Sequence, residues 1–331
     1  MVVTTMKKLF LLVLAALLLC GCTGREAEVI PEYVLTYAEN QPGDYPTTQG
    51  ANYFAQLVEA RTGGRIVVQV LYDAQMGTQQ EVLDQMAFGG IDFTRVSLSS
   101  ISDELPILNV LQLPFLYEDA DHLWRVLDGP IGEEFLDVFE EAGLVGLSWY
   151  DGGARSFYAT TPINSAADLQ GMTVRVQDSR MMEDMISLLG GTPVVIAYSD
   201  VFAAFETGRI DAAENSWTSY ESQNHHLLAP CYTLDQHTRV PEVQLISGML
   251  WAELGEEYRS IILECARESA IYQRELWKER EKQAWKVAIA EGTRCVWLSD
   301  EAYEELKTIC QPLYGRYCGD YMDLIAQIQA G

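Results

Sequence analysis

Basic residues are scarce. The 331-residue chain carries 22 lysines and arginines against 48 aspartates and glutamates, a formal charge of −26. A surface this acidic repels phosphate backbones and anionic headgroups, so nucleic acid is not a partner. One local cationic pocket can still hold an anion, because surface fields are screened within about 10 Å. Histidines are few: His122, His225, His226 and His237. Adjacent His225 and His226 point in different directions on a helix or a strand, which is poor chelation geometry, and no metal is expected. The chain has no C-x-x-C, G-x-S-x-G, H-E-x-x-H, Walker loop or G-x-G-x-x-G. Without those motifs no catalytic residue and no cofactor is expected. The abundant carboxylates read as solvated faces rather than as an acid/base pair.

Long apolar runs are absent beyond the N-terminus. Lys7 and Lys8 precede an apolar run from Leu9 to Leu19, followed by Cys20-Gly21-Cys22. The run is too short to span a bilayer and has the layout of a secretory signal. Residues 19–22 resemble a bacterial lipobox. The expectation is a lipoprotein signal peptide over 1–21, lipidation at Cys22 and a polar linker over 22–32. The rest would be a domain tethered outside the cytoplasmic membrane. Cys231, Cys265, Cys295, Cys310 and Cys318 then remain, an odd number. An oxidising compartment permits a local Cys310–Cys318 disulfide, and buried free thiols are the other reading.

What is present is a repeated alternation of strands and helices. Strands are expected at Val34–Ala38, 65–71, 91–97 and 144–150, with amphipathic helices between them. The rhythm resumes after residue 150 with "RSFYATT", "GMTVRVQ", "TPVVIA" and "IDAAENS". Asp178 or Ser179 stands ready to cap the helix from Arg180, and Ser199 and Asp200 cap the helix from Val201. "EVQLISGML" (242–250) is a late strand. Residues 256–291 contain neither Gly nor Pro and read as one helix roughly 50 Å long, enough to brace two lobes. The pattern predicts an α/β protein of two lobes with parallel sheets and a ligand cleft between them. The expected division is 33–152 plus 241–280 for one lobe and 153–240 plus 281–331 for the other.

Arg155, in "DGGARSFY", and Arg175, in "GMTVRVQDS", are isolated cations on apolar strands. A buried arginine is costly unless an anion meets it. A ligand carboxylate matches the guanidinium fork, and an internal Asp or Glu would satisfy it equally well.

From about Val34 to about Tyr321 the chain resembles the substrate-binding proteins of TRAP transporters, the DctP-like family. The resemblance is carried by "LYDAQMGTQQEVLDQMAFGGIDF", "LPFLYEDADHLWRVLDG", Gly153-Ala154-Arg155, "DLQGMTVRV", "AYSDVFAAFETGRIDAAEN" and "DQHTRVPE". It is best over 150–245. It implies a periplasmic-binding-protein-like fold closing on an organic acid, with delivery to membrane permease subunits and no ATPase. It also implies that Arg175 grips the ligand carboxylate. Arg155 and Asn215 would be further polar contacts, Tyr198 an aromatic ring against the ligand, and His237 a position near the cleft. Ala212 after Asp211 departs from the family's usual Asp-Gly. Arg95 in the first lobe, with Glu214, Asn215, Trp217 and Tyr220 opposite, is similar to the sugar-acid-binding branch. There Arg95, Glu39, Asn40 and Glu214 would read the hydroxyls of a hexuronate such as glucuronate or galacturonate. A C4-dicarboxylate, a keto acid or sialic acid are the alternatives within the family, and a ligand-presenting receptor module or an extracytoplasmic enzyme outside it.

Overall fold

The computed structural model describes residues 30–331. The expected signal peptide, Cys22 and most of the linker lie outside the described residues.

Among the described residues, twelve strands form two sheets: β1 (Tyr33–Ala38), β2 (Ile66–Leu71), β3 (Phe93–Ser97), β4 (Leu144–Tyr150), β5 (Ala154–Ala159), β6 (Thr173–Val176), β7 (Thr192–Val195), β8 (Ala212–Asn215), β9 (Cys231–Thr233), β10 (Thr238–Arg239), β11 (Glu242–Ser247) and β12 (Arg294–Val296). The first sheet has the order β2-β1-β3-β11-β4 and the second β12-β9-β5-β8-β6-β7, with β10 on β5. Each sheet belongs to one lobe.

The sheets are mixed, which corrects the expectation of parallel ones. β1 runs parallel to β2 and β3, but β11 is antiparallel to both β3 and β4. The reason is the way the chain crosses. β4 leaves the first sheet and continues through Asp151–Gly153 into β5 of the second. The chain returns from β10 through Val240 and Pro241 into β11. One strand goes out and its neighbour comes back, so the two must run in opposite senses. β5 is likewise antiparallel to β8, β9 and β10, while β6 stays parallel to β7 and β8.

The third crossing is the long helix, Glu256–Ala290, where an uninterrupted helix was expected. Its buried stripe begins with Tyr258, Ile262, Cys265 and Ala266 in the first lobe's core and ends with Ala284 and Ala288 in the second's. Between them it is fastened to the outgoing crossing. Asp151 N donates to Gln273 Oε1 at 2.8 Å, Gln273 Nε2 donates to Asp151 O at 2.9 Å, and Tyr150 Oη meets Ser269 Oγ at 2.9 Å. The helix Pro46–Arg61 packs against it at Gly50, where a Cβ would come within 2.8 Å of Tyr150 and 2.9 Å of Gln273. Arg274 lies 4.2 Å over the Trp124 ring and pairs with Asp128 at 2.7 Å. The helix thus holds both lobes through specific contacts.

One local expectation is corrected, and the structure takes the free-thiol reading of the cysteines. Ser179 and Asp200 occupy the N-cap positions of helices Arg180–Leu188 and Val201–Glu206, but neither side chain bonds a backbone N–H. Cys310 and Cys318 are buried as free thiols, as are Cys231 and Cys265, with Cys295 half-buried. Among the described residues no helix is long and apolar enough to cross a membrane.

Candidate functional site

The site lies where the carboxyl ends of strands from both sheets meet across the crossings. It has two connected chambers. The inner one is narrow, about 30 Å³, and is lined by Arg95, Arg155, Arg175, Asn215, Glu242 and Trp277 among others. The outer one, about 180 Å³ and partly open to solvent, lies beyond Arg175 and Tyr198. Asn40, Gln79, Arg175, Gln177 and Tyr198 border both. The lobes touch here directly: Tyr45 Oη of the first lobe meets Ser219 Oγ of the second at 2.8 Å.

Arg175 sits in mid-strand on β6, paired in register with Val194 and Ala213. Val174 and Val176 point into the core with no exposure, and the alternation of the strand turns Arg175 to the cleft. The residue is 3 % exposed. Its Nε donates to Ile196 O at 2.9 Å, and among the described residues no carboxylate comes within ion-pair distance. Burial pulls its pKa down from the ordinary arginine value, and the more distant Tyr158 and Glu214 offset only part of that. Arginine nonetheless remains charged in proteins. The result is a buried positive charge lacking a counterion.

Arg155, on β5, is equally buried but is satisfied from within. Its Nη2 donates to Glu214 Oε1 at 2.7 Å and to Glu214 O at 2.8 Å, Nε donates to Glu214 Oε2 at 2.5 Å, and Nη1 donates to Asn215 Oδ1 at 3.1 Å. Burial works against its charge, but Glu214 outweighs burial and raises its pKa. Behind this pair stands a second one. His237 Nδ1 bonds Asp235 Oδ2 at 2.5 Å, and its Nε2 lies 3.6 Å from Glu214 Oε2. Burial disfavours the imidazolium, yet Asp235 and Glu214 lift its pKa to about 9. For Glu214, burial favours the neutral acid, but Arg155 and His237 hold its pKa down to about 2. Asp235, His237, Glu214 and Arg155 therefore form a buried chain of alternating charge.

Arg95, on β3, has its charge met in the same way. Its Nε donates to Glu39 Oε2 at 3.0 Å, its Nη1 to Glu242 Oε2 at 2.8 Å and its Nη2 to Asn40 Oδ1 at 2.7 Å. Nη2 also bonds Glu39 Oε1. Of the three cleft arginines, only Arg175 is left without an acid.

The structure brings Arg175, Arg155, Arg95, Asn215, Tyr198 and Asn40 onto the cleft wall. It sets the other expected residues behind that wall. Glu39 and Glu214, expected to read hydroxyls, are fully buried behind their arginines, with both oxygens of each occupied. His237 is buried behind Glu214 with its ring 4.5 Å from Phe157. Trp217 stacks on Tyr232 at 3.7 Å inside the second lobe's core, and Tyr220 is buried beside them. Their spacing after β8 carries no sign of which way the short helix Trp217–Ser222 turns. Residues the sequence reading missed include Gln41, Tyr45, Thr47, Gln177, Glu242 and Trp277. Glu242 lay within the "DQHTRVPE" stretch, but its role depends on β11 entering beside β3. Trp277 comes from the long helix, whose bracing role gave no hint of a cleft-facing side chain. Four of these residues present buried polar atoms without a partner: Gln41 Oε1, Thr47 Oγ1, Gln177 Oε1 and Trp277 Nε1.

Residues 37–320 match the family described as bacterial extracellular solute-binding protein, family 7, DctP. A solute-binding protein of Chromohalobacter salexigens is 34% identical over 284 residues, 86% of this chain and 84% of that one. A TRAP periplasmic solute-binding protein from a Bradyrhizobium species, solved with galacturonate, is 36% identical with a TM-score of 0.87, covering 90% of this chain and 99% of that one. Another from Chromohalobacter salexigens, solved with D-glucuronate, is 32% identical with a TM-score of 0.86, covering 89% of this chain and 99% of that one. Two lobes closed on a cleft with a counterion-free arginine, over a match this long, make the conclusion direct: the chain belongs to the DctP family and is a TRAP-type extracytoplasmic solute-binding protein.

Proposed function

We propose that the protein binds a hexuronate and hands it, chemically unchanged, to the membrane subunits of a TRAP permease. The observation that carries this reading is Arg175, a buried guanidinium in the interlobe cleft with no acid of its own. A carboxylate entering the cleft supplies the missing charge through two parallel N–H···O bonds. Arg155 and Asn215 offer further donors. Arg95 and Asn40 face the hydroxyls, and the Tyr198 ring lies against the sugar. Glu39, Glu214 and His237 act one layer back, holding the arginines in place.

The rest of the lining favours a polyhydroxy acid over a dicarboxylate. A second carboxylate needs a second unmet cation, and Arg95 and Arg155 already have Glu39, Glu242 and Glu214. The unpartnered atoms are a mixture of neutral donors and acceptors, which suits hydroxyls. The galacturonate and glucuronate bound to the similar structures support the same class. Closure follows from the ligand touching residues 33–152 plus 241–280 on one side and 153–240 plus 281–331 on the other. Cys22 would carry the lipid that keeps the protein at the membrane.

Titration calorimetry with D-glucuronate, D-galacturonate and succinate tests the reading. Uronate binding that falls by about 100-fold or more in Arg175→Ala is expected, equal to two charge-assisted hydrogen bonds at about 1.5 kcal/mol each. Unchanged affinity in that variant, or succinate binding more tightly than either uronate, overturns it.

A further inference from the structure

Three of the carboxamides on the cleft wall are wired alike. Gln79 opens the helix Gln79–Ala87, whose first turn is fixed by the capping box of Thr78 and Glu81. Its Oε1 accepts from Ser97 N at 2.9 Å and from Ser100 Oγ at 2.7 Å. Asn40 Oδ1 accepts from Arg95 Nη2 at 2.7 Å. Asn215 Oδ1 accepts from Arg155 Nη1 at 3.1 Å and from Ser216 N at 2.9 Å. A backbone N–H and a guanidinium can only donate, so the oxygen of each amide has to face them. Each NH2 group is thereby turned the other way, and among the described residues none of the three meets an acceptor. Gln177 has no such pin, so its amide is free to turn either way.

Asn40 and Gln79 come from the first lobe and border both chambers, as Arg175 does from the second, while Asn215 borders the inner one. An acid held by Arg175 therefore lies among N–H groups whose sense is set by the protein behind them. A hydroxyl or ether oxygen can accept from such a group, whereas an ammonium has three donors and no lone pair. Donor facing donor leaves both unpaired, and a site built to hydrogen-bond one group rejects its mismatch strongly. We propose that Gln79 is a specificity-determining residue: with Asn40 and Asn215 it forms a set of fixed donors that admits sugar acids bearing hydroxyl and ether oxygens and refuses those bearing an ammonium. This rests on the hexuronate reading above and adds which sugar acids the cleft turns away.

The test is calorimetry on the whole protein with D-glucuronate and 2-amino-2-deoxy-D-glucuronate, at about pH 6 so that the amine keeps its proton. The two ligands differ in one group, a hydroxyl against an ammonium. Wild type should bind glucuronate at least about 30-fold more tightly than the amino acid sugar. Gln79→Glu keeps the side-chain length and can still accept from Ser97 and Ser100, but it puts an acceptor where the donor stood. It should shrink the preference at least about tenfold, chiefly by weakening glucuronate. Gln79→Met offers neither donor nor charge and should shrink it by about three- to fivefold, and it decides the matter should Gln79→Glu not fold. Both ligands are measured on the same variant, so a general loss of stability cancels from the ratio. A wild-type preference below about threefold, or a preference unchanged in the variants that fold, overturns the role of Gln79 and leaves the hexuronate reading intact. No glucuronate binding by wild type is a separate outcome, because it removes the hexuronate reading itself.

Discussion

Glu214 stands on the strand between those of Arg155 and Arg175, and it gives both carboxylate oxygens to Arg155 and neither to Arg175. Two arginines on one sheet, equally buried, are thereby set to different uses. One is locked into the protein's own charge chain. The other is left with a backbone carbonyl and the cleft.

The asymmetry sets opposite signs for two substitutions. Arg155→Ala strands Glu214 as a buried carboxylate and should cost about 3–5 kcal/mol of stability. Arg175→Ala removes a charge that nothing compensates, so the unliganded protein should be no less stable. Urea denaturation of both variants without ligand checks this. A loss in Arg175→Ala matching that in Arg155→Ala would show that Arg175 has an internal counterion.

The charge chain predicts a pH window. His237 has its pKa raised from 6.5 to about 9, so its contribution is full below 6.5 and is lost as pH rises through about 9. Glu214 has its pKa lowered from 4.5 to about 2, so its contribution is full above 4.5 and is lost as pH falls through about 2. The stability difference between wild type and His237→Gln should therefore be widest near the acidic side of neutrality and narrow above about pH 9. A difference that stays constant across that range would mean the ring is neutral throughout.

Trp277 separates binding from folding. Its indole N–H is buried in the inner chamber without a partner. Trp277→Phe leaves most of the packing and removes the donor, so folding stability should change little. Uronate affinity should fall about five- to tenfold, the worth of one neutral hydrogen bond. Equal affinity would place the N–H away from the ligand.

Gly153 makes room for that indole. It has φ +74°, and a Cβ there would lie 3.0 Å from both Trp277 and Ser216. Gly153→Ala should destabilise the fold by at least about 1 kcal/mol from backbone strain alone. Displacement of Trp277 should weaken uronate binding as well. A variant as stable as wild type would mean the crossing rearranges freely.

The free thiols give a chemical check. Burial pushes the pKa values of the Cys310 and Cys318 thiols up to about 12. Thiolate is the reactive form, so both should resist alkylation in the native protein and react on unfolding. A melting temperature that drops on adding reductant would reveal a disulfide instead.

Much of the architecture was legible in the residues themselves. Apolar alternation marked β1 to β4, glycines marked the ends of the early helices, and a stretch without Gly or Pro became the helix Glu256–Ala290. The polar face of "TVRV" announced a charge on an otherwise apolar strand. All of these are local properties, set by side-chain period and backbone preference over a few residues. Which arginine would remain unpaired was not local. Arg95 meets Glu39 from 56 residues away and Glu242 from 147, and Arg155 meets Glu214 from 59. Those meetings depend on sheet order, on β11 returning antiparallel beside β3, and on the direction in which each strand turns its face. Arg95, Arg155 and Arg175 look alike along the chain, and only the folded sheets, by bringing distant carboxylates to two of them, leave the third for a ligand.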